Sequence, residues 1–106
     1  MKSSFRSNCP ISSSLDVIGD KWTMVIIRDL FLGKKTFKEF SNSSEKMSSS
    51  ILAQRLKSMV QYKIIVRKDL ISNKKTKHYE LTESGKSLEP LMNFLSSWGD
   101  EYLGEF

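Results

Sequence analysis

The chain has 106 residues, 39% of them hydrophobic and 27% charged, and a formal net charge of +5. That length suits one small domain, and the composition is that of a globular chain, not a disordered tail. One Cys allows no internal disulfide, one His beside it leaves no ordinary zinc ligand set, and the longest apolar run, Met24–Ile27, is far short of a membrane span.

The first ten residues, MKSSFRSNCP, start positive but hold no apolar stretch, so they do not read as a secretory signal. A cytoplasmic location with a reduced Cys is the expectation. Residues 1–8 are polar and expected to be mobile. Charge is unevenly spread. Residues 46–78 hold nine Lys/Arg against Asp69 alone, whereas residues 80–106 hold Lys86 alone against six acids. A basic block beside an acidic tail points to a polyanion for the block and a different task for the tail.

Three serine clusters, Ser12–Ser14, Ser43–Ser44 and Ser48–Ser50, each precede an apolar periodic run and read as helix starts. A first helix is expected after Pro10 and the serines, broken at Gly19-Asp20. Asp20 caps a second helix, with Trp22, Val25, Ile26 and Leu30 on one face and Gly33 as the glycine that ends it. Thr36-Phe37-Lys38-Glu39 is a capping box for a short third helix, with Phe37 and Phe40 facing the core and a polar turn over 41–47.

A fourth helix runs from Ser48 or Ser49 to about Tyr62. Leu52, Leu56, Met59 and Val60 form its core stripe; Ser50, Gln54, Lys57 and Gln61 lie opposite, with Arg55 on the flank. Residues 64–71 and 77–81 read as a β-hairpin with a lysine-rich tip. Thr82-Glu83 opens a last helix over about 83–103, which Pro90 kinks or restarts. Its Phe94, Leu95, Trp98 and Tyr102 are too apolar for a lone surface helix and fit a dimer seam.

This order is an α+β, mainly helical winged helix-turn-helix: one domain over 9–106, the helix-turn-helix at about 36–62, the hairpin wing at about 64–81. In such a unit the second helix of the pair enters the major groove by its N-terminal end. That end is Ser48, Ser49 and Ser50 with Gln54, where small hydroxyls allow close approach and the amide suits an adenine edge. Lys57 suits a phosphate, as do Lys74, Lys75 and Lys77 of the wing. Arg55 has two readings: DNA contact, or an internal ion pair with Glu39 or Asp69. No metal or cofactor site is expected, and no nucleophile–base pairing or phosphate loop marks an enzyme. The alternative function is a winged-helix interaction module whose basic block meets an acidic protein.

The chain resembles the HxlR family of bacterial winged-helix regulators. The resemblance rests on Cys9-Pro10, Ile18-Gly19-Asp20-Lys21-Trp22-Thr23, Ile26-Ile27-Arg28-Asp29-Leu30 and Leu32–Phe40. It continues through Met47-Ser48, Leu52-Ala53-Gln54-Arg55-Leu56, Tyr79–Leu88 and Trp98-Gly99, spanning about residues 9–99. It implies a homodimer on a pseudo-palindromic operator, with first and last helices at the interface: Leu15, Leu91, Phe94, Leu95, Trp98 and Tyr102. It also makes Cys9 a candidate redox sensor, with an oxidant or small molecule as signal. The sequence departs from the family at Lys63, where a glycine is usual, and at Ser72-Asn73-Lys74-Lys75, which replace wing prolines.

Overall fold

A computed structural model describes residues 7–69 and 76–104. The elements are α1 (Pro10–Ile18), α2 (Lys21–Phe31), α3 (Phe37–Ser41), α4 (Ser49–Gln61), β1 (Ile65–Asp69), β2 (Lys77–Leu81), α5 (Glu83–Lys86) and α6 (Glu89–Tyr102). The architecture is a mainly helical winged helix, with β1 and β2 as the antiparallel wing. Among the described residues no helix is long and apolar enough to cross a membrane.

Local chemistry sets most boundaries. Pro10 occupies the first turn of α1, where its missing N–H costs nothing, so this helix starts before Ser12–Ser14 and not after them. The Asp20 carboxylate accepts from the Trp22 and Thr23 N–H groups and starts α2. Gly33, at φ 99°, ends it in the left-handed region. Thr36 and Glu39 form the capping box of α3, and the backbone N–H bonds from Lys35 and Thr36 hold the Glu39 carboxyl below its ordinary value. Ser48 caps α4 through the Ile51 N–H.

The end of α4 departs from the usual rule. Lys63 takes φ 62° where glycine is the natural choice. Its N–H reaches the Val60 carbonyl and that of Ile64 reaches Met59, the paired bonds that close a helix. The family's glycine therefore has a structural counterpart here, adopted by a residue with a Cβ.

The core gathers Ile26, Ile27, Phe40, Met47, Leu52, Leu56, Met59, Ile64 and Ile65. Tyr79 meets Phe40 edge-on with ring centroids 6.2 Å apart. Two expected core residues lie further out, each more than a third exposed: Phe37, because α3 is a single turn and only Phe40 points inward, and Val60, which sits at the edge of the α4 stripe. The wing root is fastened twice. The Tyr79 N–H donates to the Lys35 carbonyl at 2.8 Å, and the Thr82 N–H to that of Ile64 at 3.0 Å. Thr82 Oγ1 also donates to the Lys63 carbonyl at 2.6 Å and accepts from the Gly85 N–H. A Cβ on Gly85 would stand 2.3 Å from the Ile64 carbonyl oxygen, so only glycine fits there.

Pro90 restarts the C-terminal segment: α5 ends at Lys86 and α6 begins at Glu89. No described residue of α6 is buried, and only Met92 and the preceding Leu88 lean on the core. The mobile terminus expected over 1–8 lies outside the described residues up to position 6; Ser7 is tied to α1, its carbonyl accepting from Ser13 Oγ.

Candidate nucleic-acid interface

The site begins with how α4 is held. Arg55 Nε donates to Asp20 Oδ2 at 2.7 Å, on the same oxygen that takes the Thr23 N–H and hydroxyl. One carboxylate thus caps α2 and anchors α4. Burial alone would raise the Asp20 carboxyl, but the bonds from Arg55, Thr23 and Trp22 outweigh it and hold it at about 2. The internal ion pair considered for Arg55 exists, but its partner is Asp20, not Glu39 or Asp69.

The turn between α3 and α4 is held from α2 by a network that sequence reading missed. Asp29 is buried and accepts Ser43 Oγ at 2.6 Å and Arg28 Nη2 at 2.8 Å. Arg28 reaches on to grip Glu45 through both terminal nitrogens, at 2.6 and 2.9 Å. The fork holds the Glu45 carboxyl down at about 2. Ser43, read from sequence as part of a helix start, is a buried strut; its partners lie 14 and 15 positions away.

With the buried side of α4 fixed by Leu52, Leu56 and Met59, its opposite arc faces outward. Ser50, Gln54 and Lys57 are all exposed there, and Ser49 is exposed at the helix start. Ser48 is exposed too, with its hydroxyl engaged in the cap. Among the described residues Gln54 has only a long contact, Arg55 Nη1 at 3.4 Å from its Oε1. On the wing, Lys77 pairs with Asp69 at 3.1 Å and Lys68 with Glu80 at 3.0 Å. Lys74 and Lys75 lie outside the described residues.

Two further regions carry expected residues. Cys9 is exposed just ahead of Pro10, with its N–H bonded to Ser7 Oγ. Leu15, Leu91, Phe94, Leu95, Trp98 and Tyr102 are all exposed. On α6 they form a stripe about 100° wide, within which the Trp98 and Tyr102 rings meet tilted, with centroids 5.6 Å apart. Among the described residues no cluster of three or more His, Cys, Asp or Glu could hold a metal ion.

Comparison with known proteins fits this geometry. The HxlR-like helix-turn-helix family model matches residues 17–106. The HTH-type transcriptional regulator YodB of Bacillus subtilis is 33% identical over 95 residues, covering 89% of this chain and 85% of that protein. Among solved structures, PA1607, assigned as a transcription factor, superposes with a TM-score of 0.88 at 37% identity, over 96% of this chain and 70% of the other. The oxidised redox regulator HypR gives a TM-score of 0.76 at 31% identity, over 87% of this chain and 95% of its own.

Proposed function

The chain belongs to the HxlR-like helix-turn-helix family of transcriptional regulators, which are not enzymes, and from that premise we propose that it is a homodimeric, sequence-specific DNA-binding regulator. The observation that carries this reading is the outward arc of α4. Ser50, Gln54 and Lys57 stand exposed on a helix whose other side is sealed in the core, with Ser49 exposed at its start. Such a helix presents polar side chains at a fixed pitch, as major-groove reading requires. Small serines at its start let the backbone come close to the duplex; Gln54 is the base reader and Lys57 a phosphate contact. Arg55 acts indirectly, holding the α4 frame through Asp20. Lys77, with Lys74 and Lys75 by sequence, gives the wing its affinity for the backbone.

The exposed stripe of α6, with Leu15 of α1, supplies the dimer seam, so two copies of α4 meet one face of a pseudo-palindromic operator. Half-sites should lie about one turn apart, roughly 34–36 Å. Residues 9–106 act as one unit in this reading, in the cytoplasm with the chromosome. The signal enters at Cys9, exposed and next to the seam helix α1. HypR is a redox regulator, and YodB is known in diamide-treated and quinone-bound forms.

Selection of bound duplexes from a random pool, with and without oxidant, tests the reading. The expected result is an enriched inverted repeat whose recovery changes with oxidant, and a Cys9→Ser protein that binds equally in both. A pool with no enriched sequence would sink the operator; an oxidant response that survives Cys9→Ser would sink the sensor.

A further inference from the structure

Between α3, α4 and the wing lies a cleft of about 330 Å³. Its apolar lining includes Phe37, Val60 and Tyr79, and two cations also line it, Lys57 from α4 and Arg67 from β1. Phe37 and Val60 are the residues that left the expected core, and both remain over a third exposed.

The strand register explains how Arg67 arrives there. Residues directly opposite in an antiparallel pair share a face, and the face repeats every second residue. Ile65 opposite Leu81 faces inward, so Arg67 opposite Tyr79, the next pair along, points the same way towards α4. Lys68, one residue on, points to the other face and meets Glu80.

The cations that line the cleft differ in their partners from several of their neighbours. Arg55, Lys68 and Lys77 are paired with Asp20, Glu80 and Asp69. Lys57 and Arg67 have no ion pair among the described residues, and Asp69, the acid nearest Arg67 on its face of the ribbon, is taken by Lys77.

We propose that this cleft is the track for one sugar–phosphate strand of the DNA, with Lys57 and Arg67 gripping adjacent phosphates from the helix side and the wing side. The inference rests on the DNA-binding reading and extends it to Arg67, which the sequence alone did not single out. Deoxyribose is the one backbone component with an apolar edge, and Phe37, Val60 and Tyr79 offer it a matching surface. Two cations without an ion pair among the described residues, beside an apolar lining, fit a ligand that alternates anion and sugar. A short acidic peptide offers the anions without the spacing.

The test uses the full chain and a random-sequence duplex, because a phosphate grip is indifferent to sequence. Affinity is measured across a potassium chloride series. Arg67→Gln and Lys57→Gln should each lower the slope of log affinity against log salt by about 1 per protomer bound, hence about 2 for a dimer, and the double variant by about twice that. Arg67→Lys should restore the slope, and Lys68→Gln should leave it unchanged. Folded variants, judged by circular dichroism, with the wild-type slope would overturn the track while leaving DNA binding intact. A Lys68→Gln effect as large as that of Arg67→Gln would overturn it too. Wild-type protein with no salt-dependent affinity for the duplex would instead sink the DNA reading and the track with it.

Discussion

The helices α4 and α6 are 13 and 14 residues long, yet α4 seals Leu52, Leu56 and Met59 inside the core while no described residue of α6 is buried. Helix length and apolar content do not separate them; what covers each one does. α4 is clamped on three sides, by the core, by Asp20 and by the Asp29 network through the preceding turn. α6 has a continuous aromatic and aliphatic stripe that this chain leaves open. In solvent such a stripe is a liability, and in the proposed dimer a second copy would cover it while the unit around α4 stands complete within one chain. The charges follow the same division: cations cluster around α4 and the wing, and acids along the C-terminal segment.

The largest expected effect breaks the comparison at α6. Trp98→Asp should weaken self-association by two orders of magnitude or more, since a central Trp is worth about 3–4 kcal/mol at an interface. Sedimentation should then show monomer with helical content kept. A dimer of wild-type strength would show that the stripe is not the seam.

The next effect falls on the reading unit. Asp29→Ala leaves Arg28 and Ser43 without their buried acceptor, and should cost about 3 kcal/mol in urea unfolding. A loss below about 1 kcal/mol would mean that the turn before α4 is held by packing alone.

Acid sharpens the contrast more gently. Asp20 and Glu45 both sit at about 2 in the fold, below their ordinary 3.8 and 4.5. Carboxyls lowered in this way contribute stability that is fully present above their ordinary values and lost as pH falls towards 2. Both are partly exposed, so solvent screening limits each to about 1 kcal/mol. Melting temperature should therefore drop between about pH 4.5 and 2, and Arg55→Met should flatten the Asp20 part of that drop.

The smallest effect is a gain. Lys63→Gly removes the Cβ from a left-handed position and should stabilise the chain by about 0.5–1 kcal/mol, measured as a higher urea midpoint. A loss would mean that the Lys63 side chain does more than tolerate its backbone.

These positions also show what a sequence reveals. The caps at Asp20, Thr36 and Ser48 and the terminator at Gly33 were legible because donor and acceptor lie within a few residues of each other. The wing strands were legible from their alternation, and their register carried Arg67 into the cleft once the pairing was known. Links that span the chain were not legible. Arg55 finds Asp20 across 35 positions and Arg28 finds Glu45 across 17, and neither spacing has a local signature. The outward turn of Phe37 follows from how short α3 is, which periodicity over five residues cannot fix.

The bond from the Tyr79 N–H to the Lys35 carbonyl carries a consequence for how such a regulator changes over evolutionary time. It pins the base of the wing to the loop before α3 through peptide groups alone. Mutation cannot easily remove a contact that no side chain makes. Everything beyond that pin is then open to drift: prolines can give way to Ser72-Asn73-Lys74-Lys75 without disturbing the joint. On the proposed DNA-binding reading, a lineage could thus retune its grip one lysine at a time while keeping the same pinned joint.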